Sequence, residues 1–76
     1  SPLMVAVKGG HLVVILLLIQ YGALLSTTDN TGKTPLHIAA FMGNDVVVQL
    51  LLDMGVAVDA RDENGATALH EAMRGH

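Results

Sequence analysis

Seventy-six residues with a formal charge of -3, 51% apolar content and no cysteine make one small domain at most, because a chain this short buries only about 60% of its unfolded surface. Four Lys+Arg against seven Asp+Glu argue against a nucleic-acid binder that tracks phosphates with dense positive charge. The missing cysteines remove disulfide staples and thiolate metal sites and fit a reducing, intracellular compartment.

From the N-terminus, the spacing predicts helices from Pro2 to Lys8 and from Leu12 to Tyr21, with Gly22 as the stop. The run Leu12 to Ile19 is the longest apolar stretch. It is far shorter than the roughly 20 residues of a bilayer span, so it reads as a buried helix rather than a membrane segment, and no signal-peptide pattern is present. A loop follows through Asp29-Asn30-Thr31-Gly32. Thr34 then offers a hydroxyl as helix cap, and Pro35 occupies the first helical position, where its missing N–H costs nothing. Leu36, Ala39 and Ala40 form a short apolar stripe on a helix of about two turns that Gly43 ends. A further helix runs from Asp45 to Met54, with Val47, Val48, Leu50 and Leu51 at core spacing and Gly55 suited to a left-handed stop. Val56 to Asp62 alternates apolar with small or polar residues, and Glu63-Asn64-Gly65 turns the chain back to Thr67, where another first helix begins and reaches His76.

These elements recur at a fixed interval. Ser1-Pro2-Leu3-Met4 returns as Thr34-Pro35-Leu36-His37 and as Thr67-Ala68-Leu69-His70. Ala6, Ala39 and Ala72 keep the same spacing, as do Gly10/Gly43, Gly22/Gly55, Gly32/Gly65 and Asp29/Asp62. A period of about 33 residues is the mark of a stacked array.

The repeated string resembles the ankyrin repeat: Thr34-Pro35-Leu36-His37-Ile38-Ala39 carries the family's Thr-Pro-Leu-His-x-Ala at every fixed position. The resemblance implies an all-α solenoid of stacked helix-turn-helix units with β-hairpin-like loops, divided at residues 1–28, 29–61 and 62–76. It also implies that His37 and His70 tie helix starts to loops by hydrogen bonds, a tie that Met4 removes from the first unit. Ala68 stands in place of the usual Pro, and Ser26 and Asp59 in place of the usual Asn. About two and a third units fall below the roughly three that such arrays need to stand alone. The expectation is therefore a fragment, or a chain that covers its ends with a partner or a second copy.

Catalytic patterns fail on specific residues. Gly32-Lys33-Thr34 resembles the end of a phosphate loop, but Thr27 stands where that loop needs glycine. His70-Glu71-Ala72-Met73-Arg74 places a cation where a zinc helix needs its second imidazole. Asp59 to Gly65 puts Arg61 and Glu63 on alternate positions where a calcium loop has its oxygen series. His37 and His70, one period apart, lie about 10 Å from each other in a stack, too far for joint metal ligation. His11 starts a second helix, and neither it nor His76 has a carboxylate or nucleophile arranged around it. The chain reads as non-enzymatic, with no cofactor, no metal and no nucleic-acid partner.

Function then rests on free surface. In ankyrin-like arrays the loop tips and the exposed side of the first helices contact protein partners. The corresponding positions here are Lys8, Thr28, Asn30, Thr31, Lys33, Phe41 and Met42, then Arg61, Glu63, Asn64, Ala66 and Arg74. All four cations fall in this set. Lys8, Phe41 and Arg74 share a register, so stacking lines up cation, aromatic and cation, a row suited to a protein segment with acidic and apolar side chains. On the outer helices Val13, Leu16 and Val46, with Leu24 at the start of the first loop, stand where the family usually has polar residues, a pattern that fits self-association. The alternatives to a binding module are a structural or regulatory segment of a larger enzyme or channel and an engineered array that assembles with itself.

Overall fold

The computed structural model describes Ser1–Gly75; His76 lies outside the described residues. Among the described residues five helices follow one another: α1 (Pro2–Gly9), α2 (Leu12–Gln20), α3 (Pro35–Met42), α4 (Asp45–Asp53) and α5 (Ala68–Arg74). No strand occurs among the described residues. α1 packs on α2 and α3 on α4 as hairpins, while α1, α3 and α5 lie side by side as an inner row.

Local chemistry explains the starts of α1, α3 and α4. The Ser1 hydroxyl accepts from the Met4 amide at 3.3 Å, and Thr34 accepts from the His37 amide at 3.4 Å. Asn44 caps α4 by accepting from the Val47 amide at 3.2 Å. α2 starts without such a bond, since His11 makes no side-chain cap.

His37 does more than cap. The Thr34 amide donates to its Nδ1 at 3.1 Å and the Thr34 hydroxyl lies 2.8 Å from the same atom. The ring proton therefore sits on Nε2, which donates to the Ala66 carbonyl at 2.8 Å. One buried imidazole thus stitches α3 to the next loop. His70 keeps the local half of this arrangement with Thr67 and is exposed, because within the described residues no further loop reaches its Nε2.

The loop tips are turns closed by aspartate rather than strand pairs. The Asp29 amide donates to the Lys33 carbonyl at 2.9 Å, and the Asp29 carboxylate accepts from the amides of Thr31 and Lys33. Asp62 repeats the pattern with Ala66 and Asn64. The two tips touch where the Glu63 amide donates to the Thr31 carbonyl at 3.0 Å. Gly32 permits that approach: its φ of +79° suits glycine, and a Cβ there would lie 3.1 Å from the Glu63 amide nitrogen.

The core runs through Leu3, Met4, Val7, Ile15, Leu36, Ile38, Ala39, Val47 and Leu51. Leu3, Leu36 and Leu69 hold the same place in α1, α3 and α5. Leu3 and Leu36 are buried, whereas Leu69 is exposed, since no second helix lies on α5 within these residues. The apolar run in α2 differs from its reading as a buried helix. Only Ile15 is fully buried, and Leu12, Val13, Val14, Leu16 and Leu17 are exposed. The cause is position: α2 is the first helix of the outer row, so Val14 is open where its period mate Val47 is covered. No helix among the described residues is long and apolar enough to cross a membrane.

Candidate functional site

Lys8, Phe41 and Arg74 occupy the last turns of α1, α3 and α5 at matching positions. Stacking of these helices sets them in one row. Phe41 is 43% exposed and Met42 beside it 47%, so the only phenylalanine of the chain faces outward rather than into the core. Below the ring the backbone is tightly packed. A Cβ on Gly75 would lie 2.0 Å from the Phe41 carbonyl oxygen, so glycine there lets the end of α5 close against α3.

The tip residues Thr28, Asn30, Thr31, Arg61, Glu63 and Asn64 are all exposed. Ala66 is half-buried, its amide bound to the Asp62 carboxylate and its carbonyl to His37. Lys33 also departs from its place among the free positions. Its ammonium lies 2.5 Å from Asp62 Oδ2 and 3.3 Å from Glu71 Oε1, with the side chain only 20% exposed. It turns inward because two buried carboxylates there require a cation.

Glu71 is the residue that sequence reasoning missed. Its period mates are Val5 and Ile38, yet a carboxylate 3% exposed stands at this place in α5. Lys33 reaches it from one side and Arg74 from the other, at 3.2 Å. Among the described residues no buried side-chain nitrogen or oxygen is left without a partner. The signal was a charge in an otherwise apolar register column.

Electrostatics follow this geometry. The Lys33 ammonium, then the amides of Ala66 and Asn64, hold the Asp62 carboxyl down at about 2. Burial pushes Asp29 up, but the Lys33 amide and the hydroxyl and amide of Thr31 outweigh it, and the net shift is downward. Lys33 is raised, first by its bond to Asp62 and against its own burial. The cluster is thus a charged strut joining the first tip, the second tip and α5. It ties up Lys33, while Arg74 keeps a side chain 63% exposed for outside contacts.

Val13, Leu16 and Val46 on the outer helices and Leu24 at the start of the first loop are all exposed, with Val13 at 68% and its period mate Val46 at 61%.

A family model described as ankyrin repeats in three copies matches residues 3–76. No curated protein sequence matches the chain. Repeats of this kind generally mediate protein–protein interaction and are typically non-catalytic. The match over nearly the whole length agrees with the paired helices, the Thr–His caps and the aspartate-closed tips, and the chain belongs to the ankyrin-repeat family.

Proposed function

We propose that this chain is a protein-interaction module that holds an acidic and apolar segment of a partner against the Lys8–Phe41–Arg74 row and the tips at Asn30–Thr31 and Glu63–Asn64. The observation that carries the reading is the outward Phe41 between two exposed cations. Aromatic and arginine anchors dominate interface energetics, and flanking charge steers encounter and orients the partner. A peptide selected from a random library on the immobilised chain provides the test. Phe41→Ala is expected to weaken it at least about tenfold, and Arg74→Glu by a similar factor with a reduced association rate. Unchanged affinity on both substitutions rejects this surface.

A second reading has its own support. Val13 and Val46, one period apart on the outer helices, are both exposed, as are Leu16 and Leu24, and large exposed apolar surface marks contact sites. Sedimentation equilibrium at high micromolar concentration should then give a dimer that Val13→Lys with Val46→Lys returns to monomer. A wild-type monomer throughout the range removes it.

A further inference from the structure

A cleft of ≈ 560 Å³ opens between the loop that follows α2 and the loop that follows α4. Its walls are apolar, chiefly Leu24, Leu25, Val56 and Ala60, and Arg61 stands among the lining residues. The volume lies within the ~300–1,000 Å³ of ordinary ligand pockets. Lys8, Phe41 and Arg74 do not line it, so it is separate from the row described above.

Two observations say what would fill it. Leu24 is 75% exposed, an apolar side chain left in water at the lip of an apolar cleft. Arg61 has no ion pair among the described residues. Its guanidinium donates only to the Gly65 carbonyl, through Nη1 at 3.2 Å, and the remaining donors are free for a carboxylate. Arg presents a planar fork that takes a carboxylate bidentately, so an anion docked here is fixed in orientation as well as attracted. Lys33, the other cation at the tips, cannot play this part, because Asp62 and Glu71 already hold its ammonium.

We propose that this inter-loop cleft is a second recognition site, which takes a bulky aliphatic side chain of a protein partner with a neighbouring Asp or Glu on Arg61. The inference rests on the reading of the chain as a protein-binding module and adds a sequence preference to it. The partner segment lies across the two loops, with its aliphatic group between Leu24 and Val56 and its carboxylate on Arg61.

The test uses the whole chain and dodecapeptides selected on it from a random displayed library, measured by fluorescence anisotropy, with octanoate as the small-molecule probe. Leu24→Asp and Arg61→Glu change exposed side chains, and circular dichroism checks that both variants keep the helical fold. Support consists of peptides with a Leu, Ile or Met beside an acid, weakened at least about tenfold by either change, only partly retained by Arg61→Lys, which keeps the charge and loses the fork, and insensitive to Phe41→Ala. Peptides lost on Phe41→Ala but indifferent to Leu24→Asp and Arg61→Glu overturn the cleft and leave the binding-module reading intact. Octanoate shifting the amide resonances of Val56 and Ala60 where no selected peptide does so overturns a protein segment as the occupant. A library that yields no binder at all overturns both readings together.

Discussion

Replacing Lys33 with Met is expected to cost about 2–3 kcal/mol of folding stability, although the residue lies on a loop tip. Removing one partner of a buried ion pair costs roughly 3–5 kcal/mol, because the remaining charge stays desolvated without compensation. Two features lower that figure here. The Lys33 side chain is 20% exposed, and Asp62 and Glu71 keep the Ala66 and Asn64 amides and Arg74 as other donors. The carboxylate that creates the demand is Glu71, so the contrasting variant is Glu71→Ile, which restores the residue found at Ile38. It should be neutral or stabilising by about 1 kcal/mol, since apolar replacement of buried ionic groups is often harmless. Lys33→Met on top of Glu71→Ile should then cost less than it does alone, a coupling read directly from the double-mutant cycle. Acid unfolding supplies a second check. Asp62 sits at about 2 in the fold against an ordinary 3.8, so the unfolded chain binds its proton first as pH falls. Its stabilisation is present above about pH 4 and is lost as pH falls through about 2. Lys33→Met should flatten that limb. Urea melts at pH 7 and down to pH 2 measure both effects, and a Lys33→Met midpoint equal to wild type would show the strut to be idle.

Much of this architecture is legible residue by residue. Thr34-Pro35 announces the start of α3, Gly43 and Gly55 announce stops, and the interval linking Leu3, Leu36 and Leu69 announces stacking. The loop tips could be placed but not typed, since an Asp–Asn–Gly pattern fits a strand hairpin as well as the aspartate-closed turns that form. Burial was harder, for a physical reason. Hydropathy states what a side chain prefers, whereas exposure depends on which neighbours stand beside it. Val14 and Val47 are the same residue type at the same place in the unit, and one is open while the other is sealed. The ion cluster is a second case. Glu71 looks like the polar face of a short helix until Lys33 and Asp62 of the preceding segments are brought to it by the stack. The inter-loop cleft had no local signature, because it belongs to the space between two loop paths and not to any run of residues.

Leu51→Ala should be the most damaging single truncation, at about 3–4 kcal/mol. Leu51 is fully buried in α4 and belongs to the shared core with Leu36, Ala39 and Val47. Deleting buried methyl groups loses their transfer energy and leaves a cavity that close-packed neighbours fill only in part, so Leu→Ala costs range over about 2–5 kcal/mol. The next residue, Leu52, is 38% exposed, so Leu52→Ala is the control and should cost about 1 kcal/mol or less. Against the total this matters: natural domains hold about 0.05–0.15 kcal/mol per residue, which for a chain of this length is about 4–11 kcal/mol. Leu51→Ala therefore removes about a quarter or more of the reserve and, at the low end, leaves a detectable unfolded fraction at 25 °C. Urea unfolding followed by circular dichroism reads it as a lower midpoint at constant slope. Equal midpoints for Leu51→Ala and Leu52→Ala would mean that α4 does not seat Leu51 in the core against α3, and the α3–α4 hairpin as described would have to be abandoned.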